Sequence, residues 1–142
     1  MKLKLQLVRD GEVLFEIPIS PMDWPREKLE NELEAFEGGF QRFSEIFDAL
    51  SHKTCSRMMK RLMEEEDHTI NFADFMRDLN LNPKIVWENA KKLTEGGLLE
   101  KVERGKYRCS EFGQISFILF NFAFRRLIDA LEDMENFWGG ER

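Results

Sequence analysis

The sequence predicts a mainly α fold with a small β component (α+β), on three observations. Apolar residues recur at helical spacing from Leu29 to Leu50, from Met58 to Met63 and along most of the stretch from Gly113 to Trp138. Strand-like alternation is confined to the first 19 residues and to the stretch from Leu98 to Cys109. Between the helical runs, Asn71 to Ser110 reads as two short helices, a tight turn and a β-hairpin. That order is the grammar of a winged helix-turn-helix, here with an N-terminal β-hairpin and long N- and C-terminal dimerisation helices.

At the N-terminus, Leu3, Leu5 and Leu7 alternate with polar residues, and so do Val13, Phe15, Ile17 and Ile19 with Leu14, Glu16 and Pro18. Arg9-Asp10-Gly11-Glu12 lies between the two runs, and period-two patterning around an Asp-Gly turn predicts a hairpin with one apolar face. An isolated hairpin is marginal, so this one has to pack on its own helices or on a partner chain. Ser20 to Pro25 reads as a linker. From Pro25, Leu29, Leu33, Phe36, Phe40, Phe43, Phe47 and Leu50 recur every three or four residues, and Gly38-Gly39 divides them into two helices. Ser51 is the expected N-cap of the next helix, with Met58, Met59, Leu62 and Met63 as its apolar stripe and Glu64-Glu65-Glu66-Asp67 at its end.

Phe72, Phe75, Met76 and Leu79 then line the first helix of the motif, with Leu81 in the turn. The second helix opens on Asn82-Pro83-Lys84: Asn82 can cap it and Pro83 has no N–H to lose at the first helical position. Gly96 or Gly97 supplies a left-handed stop. Two short strands follow around Glu103-Arg104-Gly105-Lys106, a basic hairpin tip of the kind that forms a wing. In the last segment Ile115, Ile118, Leu119 and Phe122 make one stripe, and Phe117, Phe120, Phe124, Leu127, Ile128, Leu131 and Met134 make another. A helix apolar on two sides needs two covering surfaces, and in so short a chain a second copy is the simplest source of one. The expected dimer interface is Phe40, Phe43, Phe117, Phe120, Phe124, Leu127 and Leu131.

Composition narrows the function. An apolar fraction of 42% and 13 Phe residues suffice for a core. Arg125-Arg126 interrupts the most apolar stretch and the first residues lack a signal-peptide core, so a cytoplasmic protein without a membrane partner is expected. Cys55 and Cys109 have no paired spacing and read as buried thiols, and two His residues assemble neither a catalytic triad nor a metal site. No enzyme activity, metal or cofactor is expected. The net charge of −6 would repel a polyanion, but it is unevenly spread. Residues 1–50 hold six cations against eleven acids, net −5, whereas residues 82–109 hold seven cations against four acids, net +3.

Positive charge thus gathers where a recognition helix and a wing are expected. Asn82 and Lys84 sit at a helix N-terminus suited to phosphate. Asn89 can pair with an adenine edge and Glu88 can accept from a cytosine amino group. Lys91, Lys92, Arg104 and Lys106 are expected on the DNA backbone, and Ile85, an apolar position of the same helix with Val86, Ala90 and Leu93, is counted with the contact residues. Trp87 is open to three readings: DNA contact, protein contact or plain packing. The candidate DNA-binding set is therefore Asn82, Lys84, Ile85, Trp87, Glu88, Asn89, Lys91, Lys92, Arg104 and Lys106.

Several segments resemble the ArsR-type winged-helix regulators and their MarR-like relatives. Leu50-Ser51-His52-Lys53-Thr54 through Leu62 resembles their opening helix, and Leu81 through Leu99 is similar to their recognition helix running into the first wing strand. Tyr107-Arg108-Cys109-Ser110-Glu111-Phe112-Gly113 resembles the wing exit. The likeness spans about residues 44–130 and implies a transcription regulator that binds duplex DNA. Metal sensors of that type carry paired cysteines on the first helix of the motif. The matching positions here are Asn71 and Ala73, and the last helix has no His, so metal sensing is not expected.

Two domains are expected: 1–24, the hairpin and linker, and 25–142, the winged helix with its flanking dimerisation helices. The expected function is a homodimeric DNA-binding regulator, with the hairpin available to a protein partner. The alternative is a winged-helix protein-protein interaction module without sequence-specific DNA binding.

Overall fold

The computed structural model describes residues 2–139, and side chains as far as Met134. Met1 and the last three residues of the expected second domain lie outside the described residues. The chain forms two compact units, 1–40 and 41–142. The first extends beyond the expected 1–24 and takes in the following helix.

The first unit contains strands β1 (Lys4–Arg9) and β2 (Glu12–Pro18), a 3₁₀ turn (Pro21–Asp23) and α1 (Arg26–Ala35). Arg9 pairs with Glu12 across a two-residue turn in which Asp10 and Gly11 both have positive φ, 50° and 83°. That backbone matches the right-handed twist of paired strands, which is why Asp-Gly specifies the hairpin. Leu5 faces Ile17 and Leu7 faces Phe15, while a bulge after Leu7 interrupts the register. The Trp24 indole N–H donates to the Pro18 carbonyl at 2.7 Å and ties the linker to the strand it leaves.

Gly39, at φ 72°, separates α1 from α2 (Phe40–Ser51), as the Gly-Gly pair predicts. Ser51 does not cap the next helix. It ends α2, its hydroxyl donating back to the Asp48 carbonyl, and His52 occupies the N-cap position of α3 (Lys53–Glu64) without a side-chain capping bond. A short strand β3 (Thr69–Asn71) follows, then α4 (Phe72–Leu79) and α5 (Pro83–Glu95). The wing strands are β4 (Leu99–Glu103) and β5 (Lys106–Cys109), and β5 lies at the centre of a three-stranded antiparallel sheet in the order β3-β5-β4. The arrangement of α3, β3, α4, α5 and the β4–β5 wing is that of a winged helix.

The core gathers apolar residues from every element of this frame. Cys55, Met58, Met59 and Leu62 of α3 meet Phe75 of α4, Val86, Ala90 and Leu93 of α5, Leu98 and Leu99 entering the wing, and Tyr107 and Cys109 of β5. The last helix is less regular than its sequence suggests. It comprises α6 (Glu111–Ile118), a π-helical turn over Leu119–Ala123, and α7 (Phe124–Gly139). Phe117, expected at a dimer interface, is 6% exposed and belongs to this protein's own core, because α6 packs against α3. Phe120 is half-buried against the same cluster. Ile115, Ile118, Leu119 and Phe122 of the other stripe are open to solvent, as are Phe124 and Ile128 of the first.

Candidate nucleic-acid interface

The interface expected from the sequence is built on α5 and the wing. Asn82 caps α5: its side-chain oxygen accepts from the Ile85 N–H at 2.9 Å, satisfying one of the donors left open at a helix start. Gly97, at φ 76°, supplies the left-handed residue after the helix. The wing tip is anchored as well, since the Phe72 N–H at the start of α4 donates to the Gly105 carbonyl at 2.7 Å. Gly105 itself has φ 73°, which explains a glycine between Arg104 and Lys106.

One face of α5 is open to solvent. Lys84, Trp87, Glu88, Lys91 and Glu95 follow one another at helical spacing and are all exposed. Charge on this stripe is mixed: Lys84 lies 3.9 Å from Glu88, and the Lys91 ammonium stands over the Trp87 ring at 5.2 Å. Trp87 is 56% exposed, so plain packing, one of its three readings, does not describe it.

Three of the expected contact residues sit differently. Asn89 is 8% exposed and points inward, donating to the Ile85 carbonyl at 2.7 Å and accepting from the Cys55 thiol at 3.1 Å. It cannot read a base, because the positions that flank it on the same face, Val86 and Leu93, are core residues. Lys92 turns to α2 and pairs with Asp48 at 3.2 Å. Ile85 is half-buried beside the N-cap. On the wing, Arg104 is exposed, whereas Lys106 lies 3.6 Å from Glu103 and shares a shallow depression with Glu65, Asp67 and Asp74.

Burial governs the two cysteines. Cys55 and Cys109 are both shielded, and burial pushes each thiol up to about 11. A neutral thiol is a poor nucleophile and a poor metal ligand. Among the described residues, no cluster of three or more His, Cys, Asp or Glu side chains has the geometry to hold a metal ion. No helix of the described residues is long and apolar enough to cross a membrane.

Arg42 went unnoticed in the sequence as anything more than a charge. Its guanidinium donates to the Gly96 carbonyl at 2.7 Å and lies over the Phe112 ring at 5.3 Å, joining α2 to the end of α5 and the start of α6. A lone basic residue in an aromatic helix carries no local pattern that would have revealed this.

No protein-family model matches the chain. No curated protein matches it either. Among solved structures, the chain is similar to the crystal structure of the transcriptional repressor BigR from Xylella fastidiosa, with a TM-score of 0.45 and 16% sequence identity over 69% of this chain and 95% of that one.

Proposed function

We propose that the chain is a DNA-binding transcriptional regulator, with α5 entering the major groove and the wing on the sugar-phosphate backbone. The observation that carries the reading is the pairing of a capped, solvent-facing α5 with a wing whose tip is tied to the start of α4. Lys84 and Arg104 are its foremost phosphate contacts. Lys91 is a further one, while Asn89, Lys92 and Ile85 support the helix from behind. We further propose a homodimer, the second copy seated on the exposed Ile115, Ile118, Leu119 and Phe122 with Leu127 and Leu131 extending the contact.

Fluorescence anisotropy against a random duplex and the chain's own promoter, at about 50 and 200 mM salt, tests the reading, because phosphate contacts weaken steeply over that range. Salt-sensitive binding that is tighter on the promoter supports a regulator. Absence of binding to either duplex moves the function to the second reading, a protein-interaction module. The exposed Trp87, bordered by Glu88, favours that reading because aromatic residues anchor protein interfaces. A light-scattering mass of one chain at micromolar concentration removes the dimer.

A further inference from the structure

A groove on the second unit is lined by four cations and no carboxylate, in a chain with 27 acids and 21 cations. It has a volume of about 600 Å³ and runs between the end of α2, the outer side of α3 and the last helix. That volume falls within the range of small-molecule sites, about 300–1,000 Å³. The floor is apolar: Phe47, Leu50, Phe117, Phe120 and Phe124. Phe120 meets Phe47 edge-on at 5.8 Å, so α2 and the last helix close the floor between them.

The rim is basic on two elements. Lys53, Arg57 and Lys60 stand at helical spacing along α3, a cationic edge about 10 Å long, and Arg125 stands on α7. Arg57 donates to the Leu79 carbonyl and Lys60 pairs with Glu64 at 3.4 Å. Among the described residues, Lys53 and Arg125 have no ion-pair partner. Lys53 is also the first residue of α3, so the positive end of the helix dipole lies beside its ammonium. An apolar, largely aromatic floor beside cations that have no ion-pair partner calls for one molecule with an apolar chain and an anionic head.

We propose that this groove binds a free medium-chain fatty carboxylate, the chain over the Phe floor and the head held by Lys53 and Arg125. The α5 face plays no part in this contact, and the inference holds whether or not the chain binds DNA. Calorimetric titration of the full chain with laurate, below its micelle-forming concentration and without DNA, tests it. Dodecylammonium and 1-dodecanol serve as chain-matched controls. The expected result is saturable binding of laurate at one site, no saturable binding of dodecylammonium, and weaker binding of the alcohol.

Lys53→Ala and Arg125→Ala each weaken laurate binding by about tenfold, the scale of one charge-assisted contact. Both residues are exposed and without ion-pair partners, so these variants retain the fold. Phe124→Ser, at a position 48% exposed, weakens laurate and the alcohol together. The proposal is overturned if laurate gives no saturable uptake, if dodecylammonium binds as well as laurate, or if the Lys53 and Arg125 variants bind laurate unchanged. Flotation with anionic vesicles in the absence of laurate binding would instead assign the rim to a membrane surface and also overturn it.

Discussion

The thiol of Cys55 on α3 donates to the side-chain oxygen of Asn89 on α5 at 3.1 Å, where both residues are almost wholly shielded from solvent. The same Asn89 donates its amide to the Ile85 carbonyl one turn back, so both ends of the side chain are satisfied inside the frame. A buried polar pair of this kind orients α5 on α3 by hydrogen bonding, where apolar packing alone would tolerate sliding.

Asn89→Ala therefore lowers stability by about 1–3 kcal/mol, the usual cost of leaving a buried partner unsatisfied and a small void behind. Urea denaturation followed by circular dichroism measures it. DNA affinity, compared at equal folded fraction, stays at the wild-type level. A base-specific loss of DNA binding without a change in stability would contradict the inward orientation.

The two thiols also set an alkaline limit. Burial raises Cys55 and Cys109 from 9.0 to about 11, with Lys92 opposing and Asp48 adding to the shift at Cys55, and Glu100 adding to it at Cys109. Between these values the folded chain retains protons that the unfolded chain releases. Stability from this source is accordingly complete below pH 9 and declines as pH rises towards 11. Denaturation midpoints measured from pH 8 to pH 11 should fall over that window. At pH 8 a water-soluble disulfide reagent should label neither cysteine in the folded protein and both after unfolding. Rapid labelling of the folded chain would mean that the thiols are not shielded.

Among the glycines of the described residues, Gly113 is the most tightly enclosed by neighbouring backbone. A Cβ there would collide with the Leu98 carbonyl oxygen and stand 3.1 Å from the Cys109 sulfur. Ser110 fixes this junction: its hydroxyl donates to the Gly97 carbonyl at 2.7 Å and accepts from the Gly113 N–H at 2.8 Å, capping α6 while holding it against the wing. Because backbone stands in the way, Gly113→Ala should cost about 3 kcal/mol or more, at the upper end of overpacking effects. A thermal midpoint within a degree or two of wild type would show that α6 can shift freely from the wing.

Arg42 makes a comparable junction from a surface position. Arg42→Ala removes the charge-assisted bond to the Gly96 carbonyl and the cation over Phe112, and should destabilise by about 1–2 kcal/mol. Arg42→Lys keeps the charge but loses the fork, so most of that loss should persist. Full stability in the lysine variant would assign the contact to charge alone.

Much of this architecture is legible in the sequence where local rules agree. Asp10-Gly11 requires positive φ at both turn residues, Asn82-Pro83 encodes a cap followed by a tolerant first position, and Gly38-Gly39 stops a helix. What escapes has a physical reason in each case. Strand β3 is three residues long with one buried side chain, Ile70, too short to show alternation. The π-helical turn at Leu119–Ala123 changes the helical phase, so a single 3.6-residue period groups core residue Phe117 with Leu127 and Leu131. Asn89 could have been found, because it falls between Val86 and Leu93 on the apolar face, but its residue type suggested a base contact.

The DNA-binding reading makes its sharpest prediction at Lys84, Arg104 and Glu88. Lys84 and Arg104 are exposed and, on the proposed docking, each neutralises one phosphate. Lys84→Ala and Arg104→Ala should then each lower affinity on every duplex and reduce the salt slope by about one unit. Glu88 lies 3.9 Å from Lys84 and brings negative charge to the stripe facing the polyanion. Glu88→Gln should strengthen binding to random duplex, because it removes that repulsion and frees Lys84. On the promoter the same change separates two roles: tighter binding there means that Glu88 only repels phosphate, and weaker binding means that it accepts from a base. Unchanged affinity in all three variants would show that α5 and the wing do not form the docking face, and would favour a protein partner at Trp87.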